Sequence, residues 1–447
     1  MSDWVWGTVN GMFAIGGLIG AMANGYMSER FGRRDSMIIM NINFFVGAIL
    51  LSLATSAAQF AIGRIFVGVG SGFMTCVIGI YVAEISPPKY RGALTSLLQL
   101  FTTLGIVIIM LISLGLSSSV GWRIVVTITV IPTIGQMVLL PFCARSPRWL
   151  ISKNRLDEAR VQFLRLRHGD VEAEFSEIID SLNSNGGEAK AIVTDKDSAT
   201  GLNDADYTDK EVTPEGAAFE SQTKLSLMQV MSIPVLASLS IKLFIVHGLS
   251  QLTGINAIMY YSTTIFEISF GDDAKYVSCG VSALNVVITV VGLSLIDRLG
   301  RKTLLLISLC GMTLFQIIMT IAMLYDVSAL QVVCIMLYVA SFAIGYGMVP
   351  FVIVSECFPT YAVASASSAC LAINWLCNFV IGLIFPTLMS ACGAYVFLIF
   401  AGLALIAFAF VFFFIPETKQ KSLDDIGRQL GWYGINVEEE LQKKQRK

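Results

Sequence analysis

Repeated apolar stretches, each about the length that crosses a bilayer, restrict what this chain can fold into more than any other feature. A span needs about 20 mostly apolar residues, and about eleven such windows can be counted. They lie near 7–27, 36–56, 60–83, 93–115, 123–143, 233–268, 275–296, 303–324, 329–355, 363–390 and 393–415. Charged residues make up 14% of the chain and hydrophobic ones 55%, with a mean hydropathy of +0.72. Soluble domains carry about 25% charged residues. Helices satisfy their own backbone groups in hydrocarbon, so the pattern predicts an all-α membrane protein. The 233–268 window is long enough to be bent or broken. The net charge of −2 points to no partner.

A charged motif occurs twice between these windows. Glu29-Arg30-Phe31-Gly32-Arg33-Arg34 returns as Asp297-Arg298-Leu299-Gly300-Arg301-Lys302, and Glu84-Ile85-Ser86-Pro87 returns as Glu356-Cys357-Phe358-Pro359. Both echoes share nearly one spacing, so the chain has two halves built alike. Lys and Arg concentrate in the loops 28–35, 84–92 and 297–302, and are nearly absent from 57–60, 116–122 and 325–328. The positive-inside rule then places the charged loops, the central segment and the C-terminus in the cytoplasm. Two spans precede the second copy of the motif, but only one precedes the first. That count predicts about 11 of 12 helices, with the first half short of its opening helix. The alternative is an eleven-helix protein whose first span inserts in reverse.

Four regions follow. Residues 1–143 form an N-terminal transmembrane bundle and 226–415 a C-terminal one. Residues 144–225 form a cytoplasmic linker, and 416–447 a cytoplasmic tail. In the linker, Leu150, Leu156, Ala159, Phe163 and Leu166 recur with helical period, predicting short amphipathic helices. The stretch 183–222 is too poor in large apolar residues to bury a core and is expected to be disordered. The nine cysteines show no metal or disulfide spacing and read mainly as buried thiols. Gly68 and Gly72 form a small-xxx-small packing face, although Gly68-Val69-Gly70-Ser71-Gly72 superficially resembles a dinucleotide fingerprint.

Polar residues inside apolar spans are costly and default to a pathway reading. Gln99 lies in the fourth window, Gln251 and Asn256 flank Gly254, and Asn285 lies in the seventh. Asn374 and Asn378 are one helical turn apart. This amide-rich set offers donors and acceptors together, which suits a neutral polyol. For any single amide, interhelical bonding is an equally good reading. Phe342, Phe351 and Trp375 offer faces for the apolar C–H surface of such a polyol, and Tyr260 and Tyr261 read as a gate near the outer end of the broken span. Neither a nucleophile–base arrangement nor a metal-ligand cluster is visible, so no enzyme and no cofactor are indicated.

The motifs together resemble the sugar porters of the major facilitator superfamily, which include the facilitative glucose transporters. The resemblance runs from about Trp4 to Ile426. It rests on Glu29 to Arg34, Gly63-Arg64, Glu84 with Arg91-Gly92, Ser146-Pro147-Arg148-Trp149, Gln251-Leu252-Thr253-Gly254-Ile255-Asn256, Asp297-Arg298 and Pro416-Glu417-Thr418-Lys419. It implies two six-helix bundles around a sugar site reached alternately from either side. Some positions depart from the family. Phe351 stands where Trp is usual, Tyr346 and Met348 where prolines are frequent, and His247-Gly248-Leu249 where Gln-Leu-Ser is usual. Pro350, with Gly345 and Gly347, is then expected to hinge its helix. Arg145 replaces a usual Glu, and Val363 a usual Arg.

The charged face is expected to act as a latch between the bundles, formed by Glu29, Arg30, Arg34, Glu84, Arg91, Arg148, Asp297, Arg298, Arg301, Glu356 and Glu417. Arg64 opens an apolar span and needs a partner; in the family that partner commonly lies on the first helix, so uniport and proton symport both stay open. The expectation is a plasma-membrane carrier of a neutral monosaccharide, such as glucose, with lipid and sugar as its partners, protons as a second cargo under symport, and neither nucleic acid nor an obligate protein partner. A non-transporting sugar sensor, an inactive truncated carrier, and inositol or a disaccharide as substrate are the competing readings.

Overall fold

The computed structural model describes residues 3–87, 91–116, 118, 120–167, 175, 225–421, 423–433 and 435, with no strand among them. The expected disorder over 183–222, the end of the tail and Lys89 lie outside the described residues. The chain divides into two units, Met1–Cys143 with Leu225–Lys447, and Ala144–Lys224. In the first unit, α1 (Asp3–Phe31), α2 (Arg33–Ser52), α3 (Ala57–Ile85) and α4 (Arg91–Gly115) are followed by a fifth span made of α5 (Gly121–Ile128) and α6 (Val130–Leu139). The second unit holds α7 (Pro147–Ser152) and α8 (Leu156–Leu166). The first unit resumes with α9 (Leu227–Val230), α10 (Pro234–Leu252), α11 (Ile255–Phe270), α12 (Ala274–Leu299) and α13 (Arg301–Leu324). It ends with α14 (Ser328–Ile344), α15 (Val349–Cys357), α16 (Thr360–Cys392), α17 (Val396–Phe414) and α18 (Leu423–Leu430).

Among the described residues, ten stretches are long and apolar enough to cross a membrane. The last, Tyr361–Phe414, contains both α16 and α17, divided by the 3-10 turn Gly393–Tyr395, so it makes two crossings. The doubled motif closes two equivalent turns: α1 meets α2 at Gly32, and α12 meets α13 at Gly300. Helix pairing repeats too. Across the halves, α1 packs on α16 and α12 packs on α4. Within the first half α1 lies tightly on α3, because Gly68 and Gly72 carry no side chain. A Cβ on Gly68 would sit 2.1 Å from the Phe13 carbonyl oxygen, and one on Gly72 2.0 Å from that of Gly17. Such an approach replaces the missing hydrophobic drive between helices with close dispersion contacts.

The continuous buried core lies in the second half, where Leu243, Val246, Phe266, Leu305, Tyr338, Tyr346, Phe397 and Phe400 pack together. The first half buries a smaller cluster around Met37, Phe73 and Val77. Its span Leu97–Gly115 is only 6% buried and Gly121–Phe142 11%, so the rigid frame for a site is supplied mainly by the second half. The buried-thiol reading holds for Cys279, Cys334, Cys357 and Cys370 but not for Cys143 and Cys310, which are exposed.

In the second unit, Ser146 caps α7 by accepting the Trp149 N–H at 3.2 Å. Ala159 and Phe163 bury the apolar stripe of α8 against a cluster of Trp149, Leu150, Ile151 and Phe175. Arg145, in place of the usual acid, pairs with Glu158 at 3.7 Å.

Candidate functional site

The sixth span breaks where Thr253 and Gly254 separate α10 from α11. Gly254 has φ +95°, a left-handed backbone that side chains disfavour, and a Cβ there would meet the Phe400 ring at 2.5 Å. A break of this kind frees backbone groups that must be satisfied inside the protein. The Thr253 carbonyl accepts Gln316 Nε2 at 2.7 Å and the Tyr338 hydroxyl at 3.1 Å. Neither Gln316 nor Tyr338 stood out in the sequence, where they resemble other polar residues of apolar spans. Across the same break, the Asn256 amide donates to Gln251 Oε1. The two predicted amides therefore bridge the two half-helices.

Helix α16 faces this break. Asn374 Nδ2 donates to Ser250 Oγ at 3.1 Å and to the His247 carbonyl at 3.3 Å. One turn further, Asn378 Oδ1 accepts the Tyr260 hydroxyl at 3.3 Å. The neighbouring Tyr261 donates to the Gly382 carbonyl at 3.0 Å. Gln251, Asn256, Asn374, Asn378, Tyr260 and Tyr261 thus share one connected region between α10, α11 and α16. Trp375, between the two asparagines, points to α1: its ring meets Phe13 edge-on at 5.4 Å and covers Gly17. Its indole nitrogen is buried without a hydrogen-bond partner. Arg64 reaches the same helix, donating to the Asn10 carbonyl at 3.5 Å with its guanidinium 5.3 Å from the Phe13 ring. A long bond to a carbonyl and an aromatic face thus contact the charge expected to need a partner.

The ninth span is also interrupted, between α14 and α15. Pro350, with Gly345 and Gly347, was expected to hinge this helix. The interruption lies over 345–348, and Pro350 follows it in the first turn of α15, where its missing N–H leaves no helical bond unmade. Phe351 follows, 41% exposed, edge-on to the buried His247 ring at 5.1 Å. Phe342 packs against Tyr346 at 6.5 Å. Gln99 and Asn285 lie on α4 and α12, the second helix pair that joins the halves. Thr289 donates to the Asn285 carbonyl at 2.7 Å.

On the charged face, the ion pairs shown join helices of the same half. Arg33 holds Glu84 at 2.8 Å and Glu29 at 3.8 Å, and Arg301 holds Glu356 at 2.9 Å. Arg34, expected in the latch, pairs with its neighbour Asp35 at 2.8 Å and donates to the Pro141 and Cys143 carbonyls. Arg33 was passed over, although the doubled motif aligns it with Arg301. Glu417 accepts the backbone N–H groups of Arg301 and Lys302 at 2.9 and 3.1 Å, placing a carboxylate at the start of α13. Arg30 stacks near Tyr26 and Phe31, and Lys419 donates to the Arg298 carbonyl. The side chains of Arg91 and Asp297 lie outside the described set.

Among the described residues no group of three or more His, Cys, Asp and Glu could hold a metal ion. Two repeated membrane halves, a broken helix in the second bearing paired amides, and aromatic faces beside it define the class: a multi-pass membrane carrier with a neutral polar site. Residues 2–430 match the family model described as "Sugar (and other) transporter", and the chain belongs to that family. It is 33% identical over 435 residues to facilitated glucose transporter member 3 of Oryctolagus cuniculus, covering 95% of this chain and 81% of that protein. It is likewise 33% identical over 433 residues to facilitated glucose transporter member 1 of Gallus gallus, covering 94% and 82%. In structure it resembles the xylose transporter XylE from E. coli in a partially occluded inward-open conformation, with a TM-score of 0.74 and 24% identity, over 94% of this chain and 89% of that one. That likeness shows the major-facilitator fold.

Proposed function

We propose that this sugar transporter carries a neutral monosaccharide, a hexose such as glucose, by alternating access, and is not an enzyme. The observation that carries the reading is the amide pair Gln251 and Asn256, bonded to each other across the break at Gly254. A bond between two amides is readily exchanged for bonds to sugar hydroxyls, because each amide keeps both donor and acceptor capacity. Asn374 and Asn378 hold the facing side, and Phe351 and Trp375 supply flat apolar surface. The glucose-transporter names of the relatives favour the same substrate class.

In this reading Gln99 and Asn285 approach the substrate from α4 and α12, and Tyr260 and Tyr261 close the outer end. The charged residues brace the cytoplasmic face, where the C-terminus lies, in the plasma membrane. The two mirrored pairs, Arg33–Glu84 and Arg301–Glu356, brace each half separately; Arg148 and the remaining charges latch one bundle to the other when the outer side is open. Uptake of labelled glucose by cells without hexose carriers of their own tests the reading, and a protonophore in the same assay separates symport from uniport. Absence of uptake above mock-transfected cells, with the protein at the surface, would contradict it.

A further inference from the structure

The two broken spans are joined by polar bonds as well as by packing. Tyr346 lies in the interruption between α14 and α15 and is 1% exposed. Its hydroxyl donates to the Val246 carbonyl of α10 at 3.1 Å, and its N–H donates to Ser308 Oγ of α13 at 3.1 Å. Buried backbone and hydroxyl groups outside regular helix must find such partners. Here the partners lie on two different helices, so they fix where the interruption sits between α10 and α13.

Beyond this junction α15 is a short rigid rod held at its far end. There Glu356 pairs with Arg301 at 2.9 Å, and the Cys357 carbonyl accepts the Trp432 indole N–H at 2.9 Å. Near the junction, Phe351 rests on His247 of α10, one residue after the carbonyl that Tyr346 holds. The rod therefore has an aromatic face beside the amide region and a charged grip at the opposite end.

We infer that Tyr346 is a positioning residue of the transport cycle: its hydroxyl pins the pivot of α15 to α10 in one access state and lets go in the other. The inference rests on the carrier reading. A purely structural hydroxyl would be bonded equally in both states, and its loss would not change the balance between them.

The test compares wild type with Tyr346→Phe, reconstituted in lipid vesicles, by the half-saturation constants for entry and for exit of labelled glucose. A neutral hydrogen bond present in only one state biases the two states about fivefold. The expected result is an entry-to-exit ratio shifted by about that factor, with the same rank order of competing sugars. A ratio within about twofold of wild type overturns the inference. A changed rank order overturns it as well, because the hydroxyl would then be touching substrate. If Tyr346→Phe does not assemble, fluorotyrosine incorporated at position 346, which keeps the ring and changes only the donor strength of the hydroxyl toward the Val246 carbonyl, is measured in the same way: a shifted entry-to-exit ratio supports the inference and an unshifted one overturns it. Wild-type vesicles that carry no glucose would contradict the carrier reading, a failure distinct from an unshifted ratio in a working carrier.

Discussion

Arg33 and Glu84 are joined at 2.8 Å, with the arginine 5% and the glutamate 14% exposed, and the pair is repeated in the second half by Arg301 and Glu356. Each pair ties the start of one helix to the end of the next span, at the same place in both halves. Breaking such a buried pair is destabilising, at a cost of about 3 kcal/mol or more when nothing else compensates the charge left behind. Arg33→Ala is expected to lower the thermal unfolding temperature in detergent clearly. The double variant Arg33→Met with Glu84→Gln should recover part of that loss. Additive losses would show that the two side chains do not depend on each other.

What could be read from the chain, and what could not, divides along physical lines. Span positions, the two halves and the break near Gly254 are local properties of apolar length and glycine placement. The amides Gln251, Asn256, Asn374 and Asn378 were visible because polar atoms in apolar spans are costly. Their partners were not: Ser250, the His247 carbonyl and Tyr260 are matched to them only by helix rotation. Gln316 and Tyr338 were missed for the same reason, since their task is to satisfy a carbonyl on another helix. Arg33 stands out only when the two copies of the motif are aligned, which matches it to Arg301.

The Thr253 carbonyl gives a graded test of the break. Gln316→Leu leaves it one acceptor bond, to Tyr338, and Gln316→Leu with Tyr338→Phe leaves it none. An unsatisfied buried carbonyl costs about 1–3 kcal/mol. The double variant should therefore be less stable than the sum of the two single losses predicts, as read by thermal unfolding. Strict additivity would mean that another group, such as water, satisfies the carbonyl.

Gly254→Ala adds a side chain in a left-handed conformation and against Phe400. The backbone term alone is about 1–2 kcal/mol, and the contact adds to it. The expected outcome is a large fall in the amount of protein at the cell surface. Combining it with Phe400→Ala removes the contact but keeps the backbone term, so recovery should be partial. Full recovery would assign the whole effect to Phe400.

At the tail, Trp432→Phe removes the N–H that caps the Cys357 carbonyl while keeping most of the buried ring. A loss of about 1 kcal/mol is expected. It should appear as faster amide hydrogen exchange over Leu423–Leu430, with the apolar spans unchanged. Equal exchange in both proteins would remove this bond from the account of how α15 is held.

The central claim is that the amides bridging the broken helix bind the sugar. Its most direct test is labelled glucose uptake by Gln251→Ala and Asn256→Ala in cells without hexose carriers, normalised to surface protein. Loss of most uptake at wild-type surface levels is the predicted result. Uptake equal to wild type in both variants would contradict it.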